Sequence, residues 1–304
     1  LGAMEAPLHI GYTSGKGWDD EAIADLLIDN GLSEISFTVF ATDPTLRKRW
    51  MHDPTPEASL KILERLCDAI DVYAAAVVLP GINDGPVLDR TCEWLEERGA
   101  KGLILMRFAN ATEQGLILGN APIIKGQQVQ SVESFRDTVT SLSKQFTMKI
   151  SGTPLWDPEI GSPFALRYEP NLLKKLPQVQ RRASVISGSV ATPFIDTLLS
   201  ACGSKVPVTP VKKEIACLIT IDDIRDLDLR SLERTVIIPG RAFVHDPEVK
   251  AVLSRDGIER DVIRGPDMLT ADAETSMGMT KDQVLAMEMD GFAELIQTIN
   301  RYGK

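Results

Sequence analysis

Three stretches constrain the fold most: EISFTVFA, VYAAAVVLP and GLILMRF. Each is apolar almost throughout, whereas a strand with one wet face alternates. Helical patterns separate them. Leu60, Leu63, Cys67 and Ile70 fall on one helical face, and Val132, Phe135, Val139, Leu142 and Phe146 make a second stripe. Apolar strands alternating with helices predict an α/β chain built on a parallel sheet covered by helices.

The series begins with the strand LHIGY. Asp19 is read as the cap of the following helix, with Gly31 after its end. Thr55 caps another helix with Pro56 in its first turn, and Pro86 opens one that ends near Gly99. TMKISG is a further short strand. The proline-rich SGTPLWDPEIGSPF and the basic QRRASV then break the pattern, which places a domain change after residue 178. Residues 179–304 form the second, smaller α/β domain. It opens with SVISGSVATPFIDTLLSACG as strand, turn and helix, and VPVTPV, ACLITI and RTVIIPG follow as strands. Asp246 reads as a helix cap before Pro247, and His245 as structural. Thr280 and Gln283 form a capping box ahead of the last helix.

Composition narrows the functional classes. The chain has 304 residues and a net charge of −10, which argues against a broad nucleic-acid footprint. It holds no apolar run of about 18 residues, so no membrane span is expected. Without a secretory leader pattern at its start, the expected location is cytoplasmic. Cys67, Cys92, Cys202 and Cys217 include no C-x-x-C pair, and His9, His52 and His245 are scattered, so no local motif holds a metal.

The chemistry concentrates in strand-to-helix turns, where parallel sheets bind ligands. GYTSGKGW suggests a phosphate loop, but Gly11 and Gly15 are one residue too close and Gly17 stands where a hydroxyl is needed. In LPGINDG, Gly81 lets a ligand approach the backbone and Asn83 and Asp84 can cap the next helix; a plain turn explains the same residues. Arg107 ends its strand as a carboxylate or phosphate contact, or as a rim arginine. SGSVAT offers either successive amides for an anion or a tight turn with small residues for packing.

Eight ordered motifs together resemble one family: HIGYTSGKG, EISFTVFATDP, VVLPGINDG, GAKGLILMRFAN, GLILGNAPII, SGTPLWDPEIGSPFA, VKKEIACLITIDD and VIIPGRAFVHD. They look like the cobalamin-dependent radical S-adenosylmethionine methyltransferases of methanogens, the methanogenesis marker proteins that methylate an arginine of methyl-coenzyme M reductase. The resemblance implies the C-terminal part of a partial (β/α)6 barrel in residues 1–178, entered at its third strand, and a cobalamin-binding domain in 179–304. It also implies an upstream portion whose cysteines hold a four-iron four-sulfur cluster, so that this fragment alone is inactive.

Residue roles follow from the resemblance alone. Tyr12 corresponds to a tyrosine that ligates the unique cluster iron when S-adenosylmethionine is absent. Ser36 and Thr38 lie on the ribose side, Leu79, Pro80, Gly81 and Asn83 at the adenosyl group, and Arg107 and Asn110 at the same face. Ser187, Gly188, Ser189, Leu218, Thr220 and Gly240 fall to cobalamin, with Leu218 under the cobalt because D-x-H-x-x-G is missing. The partner implied is the alpha subunit of methyl-coenzyme M reductase, with Asp157 and Glu159 as substrate contacts or surface acids. A corrinoid- or peptide-binding module without chemistry is the alternative. An unrelated barrel aldolase ranks below both, because Lys16 is the only lysine read at a strand mouth.

Overall fold

The computed structural model describes residues 7–108 and 126–304, which divide into two compact units. Among the described residues, 7–108 and 126–159 form the first unit and 160–304 the second. The second unit therefore begins ahead of the division expected after residue 178. The reason is packing: Ile160, Phe164, Ala165, Leu166 and Leu176 bury their side chains in the second unit's core.

The first unit is an open five-stranded parallel sheet of β1 (Leu8–Thr13), β2 (Leu32–Thr38), β3 (Asp71–Val78), β4 (Gly102–Arg107) and β5 (Lys149–Thr153). The strands lie side by side in chain order. The connecting helices are α1 (Ala22–Asp29), α2 (Pro44–Leu46), α3 (Pro56–Cys67), α4 (Pro86–Glu97) and α5 (Val132–Gln145). Ile35, Phe37, Val72, Ala74, Ala76, Leu103, Leu105 and Ile150 point to one face and share a core with Leu63, Leu66, Leu88, Leu95, Phe135 and Val139 of the helices. Each fully buried side chain of this kind contributes about 1.5–3 kcal/mol. The helices thus cover one face, as in the wall of a partial barrel. The other face carries Glu34, Ser36, Thr38, Tyr73, Ala75, Ile104 and Ser151, by the period-two alternation of a strand.

The starts of α1 and α3 differ from expectation. Asp19 does not cap α1; Asp20 Oδ1 accepts the Ala22 amide at 2.9 Å instead. Thr55 does stand at the N-cap of α3, but its hydroxyl donates to the Trp18 carbonyl at 3.0 Å and ties two loops together.

The second unit contains a four-stranded parallel sheet in the order β7 (Thr209–Pro210), β6 (Ser184–Ser187), β8 (Thr235–Ile238), β9 (Asp261–Arg264). Its helices are α6 (Pro170–Leu173), α7 (Thr192–Ala201), α8 (Ile221–Arg225), α9 (Asp246–Leu253), α10 (Ala273–Met277) and α11 (Lys281–Tyr302). Val185 and Ile237 pack on one side with Ile195, Leu198, Phe292 and Leu295 of α7 and α11. Ile186, Val236 and Ile238 pack on the other with Ile224, Val249 and Leu253 of α8 and α9. A parallel sheet covered on both faces is doubly wound.

ACLITI is not a strand. Ala216–Leu218 is a 3₁₀ turn, and Thr220 caps α8 through a capping box with Asp223. Asp246 is the first helical residue of α9 rather than its cap; its Oδ1 accepts the Arg264 Nε at 2.8 Å. The Thr280–Gln283 capping box of α11 is present, with Gln283 Oε1 accepting the Thr280 amide at 2.8 Å.

Candidate functional site

The carboxyl edge of the first sheet is held by one buried ion pair. Between β2 and α3 the chain makes α2 and a π-helical turn, Arg47–Met51, that ends on His52 in the left-handed region at φ 54°. Arg47 and Asp53 are fully buried, and Arg47 Nη2 meets Asp53 Oδ2 at 2.9 Å. Arg47 Nε also donates to Asp53 Oδ2, at 3.2 Å, while Nη1 reaches the Val39 carbonyl at 2.7 Å and Nη2 the Ser14 carbonyl at 2.8 Å. Asp53 Oδ1 accepts the amides of Gly17 and Thr55 at 3.4 and 3.2 Å. Burial pulls the Arg47 pKa down against the pull of Asp53. Burial pushes Asp53 up, but its bonds to Arg47, Thr55 and Ser59 hold it below the usual carboxylate range. The pair joins the loops after β1 and β2, and sequence reading missed it.

The GYTSGKG turn is shaped by that network. Gly15 has φ 61°, and a Cβ there would stand 2.7 Å from the Phe37 ring. The Gly15 carbonyl accepts the Ser59 hydroxyl at 2.9 Å. Tyr12 sits in a bulge of β1, where the register to β2 slips between Ile10 and Thr13; its φ is 31° and its side chain is exposed.

The first-sheet candidates separate into distinct groups. Ser36 and Thr38 project from the face opposite the helices, aligned with Tyr73 and Ala75 of β3. Asn83 is fully buried and committed to the fold. Its Nδ2 donates to the carbonyls of Phe40 and Val77 at 2.8 Å each, and its Oδ1 accepts the Leu79 amide at 2.7 Å. It clasps the ends of β2 and β3 rather than facing a ligand, and neither it nor Asp84 caps α4; Asp84 Oδ1 accepts the Gly81 amide at 2.8 Å. Pro80 and Gly81 lie on the outside of that turn, whereas Leu79 is buried. Arg107 does not share the face of Ser36 and Thr38. It alternates with Leu103 and Leu105 on the helix side, is buried, and donates to the Gln130 carbonyl at 2.8 Å beside the start of α5. Asn110 lies outside the described residues.

In the second sheet the strand order reverses direction between β6 and β8, a topological switch point where doubly wound folds bind ligands. Ser187 ends β6, Gly188 and Ser189 follow it, and Gly240 follows β8, so these candidates flank that point. Leu218 and Thr220 come from the connection after β7, joined to the loop after β8 by the Phe243 amide donating to the Ile219 carbonyl at 3.0 Å.

Two of the turn amides, however, are already used. Ser189 and Val190 donate to the carbonyls of Lys213 and Glu214 at 2.9 and 3.4 Å. A Cβ on Gly188 would lie 2.4 Å from the Glu214 carbonyl oxygen. The SGSVAT turn is therefore held tightly against Lys213 and Glu214, and the close approach requires glycine at Gly188. Gly240 is small for the same reason: a Cβ would meet Asp267 and the Gly265 carbonyl at 2.6 and 2.7 Å. Thr220 spends its hydroxyl on Asp223 at 2.8 Å. Leu218 is half-buried in its 3₁₀ turn. Arg264, unforeseen from sequence, fixes the loop after β8 by donating to the carbonyls of Gly240, Ala242 and Val244 at 2.6, 3.2 and 2.7 Å.

The residues present do not fit an iron–sulfur cluster. Among the described residues, no three Cys, His, Asp or Glu side chains converge to hold a metal. Cys67 and Cys92 lie on α3 and α4, where burial pushes both thiols up to about 12, away from the thiolate form that binds iron. No step through a cluster is derived from this chain. Asp157 is neither a surface acid nor an open contact: it is fully buried, with the Lys149 Nζ at 3.5 Å, while Glu159 is exposed. Among the described residues, no helix is long and apolar enough to cross a membrane.

The parallel β/α wall of the first unit is the setting for a match to a known family. Residues 18–101 match a family described as a radical SAM-like domain. The matched segment runs from the end of the first turn through β2, α3, β3 and α4. No curated protein sequence matches the chain. Among solved structures, a domain of the pyruvate-formate lyase-activating enzyme from Bacteroides vulgatus is similar at 14% identity and a TM-score of 0.37, over 46% of this chain and 79% of that one. A radical SAM methyltransferase from Sphaerobacter thermophilus is similar at 14% identity and a TM-score of 0.35. That likeness covers 47% of this chain and 39% of the methyltransferase. Tryptophan synthase from M. tuberculosis aligns over 95% of this chain at 12% identity and a TM-score of 0.29.

Proposed function

We propose that the chain is part of a radical S-adenosylmethionine methyltransferase whose substrate is an arginine in the alpha subunit of methyl-coenzyme M reductase, with cobalamin as methyl carrier. The observation that carries the reading is the radical SAM-like match over residues 18–101, which falls on consecutive strand–helix units of the first sheet. The eight motifs quoted above support its finer terms. S-adenosylmethionine supplies the methyl group in this reading. Ser36 and Thr38, on the face away from the helices, hold its ribose, and the outer side of the Pro80–Gly81 turn receives its adenine. Asn83 positions that turn without touching the ligand. In the second unit the corrin lies against the switch point, near Ser189, Leu218 and Gly240.

Calorimetric titration of the chain with S-adenosylmethionine tests the core of this proposal. Saturable binding is expected, with Thr38→Val weakening it about tenfold, the equivalent of one hydrogen bond of about 1.4 kcal/mol. A chain that shows no saturable heat, or a variant that binds as tightly as the parent, refutes the assignment. Hydroxocobalamin is titrated separately and followed by its visible spectrum. An unchanged spectrum removes cobalamin from the reading and leaves the S-adenosylmethionine result standing.

A further inference from the structure

The second unit holds a charged side chain with a buried donor that the described residues leave unused. Arg167 lies in the 3₁₀ turn Ala165–Tyr168 and is half-buried. Its guanidinium carbon stands 4.6 Å from the centre of the Tyr168 ring and 4.4 Å from that of Phe194. Its Nε is buried, and among the described residues no acceptor lies within hydrogen-bond reach of it. Lack of an ion pair does not set Arg167 apart, since other exposed bases share it. The buried donor does, because a buried polar group without a partner is costly and a charged one more so. Arg260 also buries an Nε without a partner, but its terminal nitrogens are taken by Asp256 and by the carbonyls of Leu253 and Leu229. Among the described residues, the side chain of Arg167 has only the two rings.

The guanidinium is fixed from behind. Glu288 accepts the amides of Ala165 and Leu166, and the Arg167 amide donates to the Phe164 carbonyl at 3.2 Å. Phe164 is buried, with its ring centre 6.2 Å from that of Phe194 and 5.6 Å from that of Phe292. Phe194 belongs to the first turn of α7, the positive end of that helix. The carboxylates of the adjoining turn and of α7 have other partners: Glu169 meets Lys281 at 2.8 Å, and Asp196 Oδ1 accepts the Val208 amide at 2.9 Å. Rings packed on the faces of a guanidinium leave its N–H groups directed outward in its own plane. That arrangement binds two oxygens of a carboxylate or phosphate side by side.

We infer that the Arg167 guanidinium, held against the Tyr168 and Phe194 rings, is a binding site for an oxyanion, the carboxylate or phosphate group of a small molecule. Such a group supplies the acceptor that the buried Nε lacks. Tyr168 is 59% exposed, so the site is reached from solvent. The rings keep water from the guanidinium, which strengthens the contact relative to the same contact in water. The inference uses neither S-adenosylmethionine nor cobalamin and stands apart from the methyl-transfer reading.

The test is the proton–nitrogen NMR spectrum of the arginine Nε–H groups, followed as inorganic phosphate, and separately malonate, is added at constant ionic strength. The cross-peak lost in Arg167→Lys assigns the group. A saturable shift of that peak is expected, with a Kd on the order of millimolar for a single anchored oxyanion. Tyr168→Ala removes an exposed ring and is expected to weaken binding at least about threefold, with circular dichroism unchanged. Tighter binding of phosphate assigns a phosphate group to the site, and tighter binding of malonate a carboxylate. No saturable shift with either anion overturns the proposal, as does an equal shift from chloride, an equal shift at Arg260, or an affinity that Tyr168→Ala leaves unaltered.

Discussion

Asp53→Ala is expected to destabilise the chain by about 3–5 kcal/mol, the cost of leaving a buried charge without its partner. Arg47 is fully buried and would keep only carbonyl acceptors. The loops after β1 and β2 would lose the carboxylate that accepts from Gly17, Thr55 and Arg47. Urea unfolding measures the difference. A loss below about 1 kcal/mol would show that the pair does not hold this edge. Arg47→Met/Asp53→Leu is the control, because replacing both partners with apolar groups is expected to recover much of the loss. The pH dependence has a defined sign. Asp53 is held below its unfolded pKa, so its contribution is present above about 3.9 and fades as pH falls through the folded value.

Glu288→Ala is expected to cost at least about 3 kcal/mol, because each stranded buried donor costs about 1–3 kcal/mol. Glu288 is fully buried on α11. Its carboxyl accepts the Ala165 and Leu166 amides at 3.2 and 2.8 Å and the Thr270 hydroxyl at 2.6 Å. It thereby closes the start of the 3₁₀ turn Ala165–Tyr168. Here burial outweighs the donors and raises the pKa. The folded state thus binds this proton more tightly than the unfolded chain. The stability that arises from that proton is present below the unfolded value near 4.3 and is lost as pH rises through the folded one. Glu288→Gln is expected to flatten the stability profile across that window. A profile identical to the parent's would assign the dependence elsewhere.

Much of the architecture was legible in sequence because it is a local pattern. EISFTVFA, VYAAAVVLP and GLILMRF became β2, β3 and β4, and the Val132–Phe146 stripe became the buried side of α5. Failures arose where long-range packing overrode a local apolar run. ACLITI has strand composition, yet Ile219 is buried beneath the second sheet by a turn that Thr220 and Asp223 stabilise. DVIR, with a charge at each end, gave too little apolar signal to be read as β9. The sites were less legible than the fold. Asn83 and Arg107 look like exposed turn and rim residues in one dimension, and only the three-dimensional carbonyls of Phe40, Val77 and Gln130 show what they hold. Arg47 stands in a basic run, and nothing nearby announces that it alone turns inward.

The strand orders of the two sheets differ in what they require of a growing chain. In the first, β1 to β5 are neighbours in the order in which they are made, so each new strand finds its partner already in place. In the second, β6 is an inner strand whose first partner, β7, contributes a two-residue ladder. Its other ladder, equally short, is with β8, after α7, β7 and α8 have been threaded. Parallel pairings close long loops before contacts compensate their entropy. Assembly during synthesis can therefore proceed stepwise in the first unit, while in the second the β6 strand gains its neighbour on the other side only once the chain has passed Ile238.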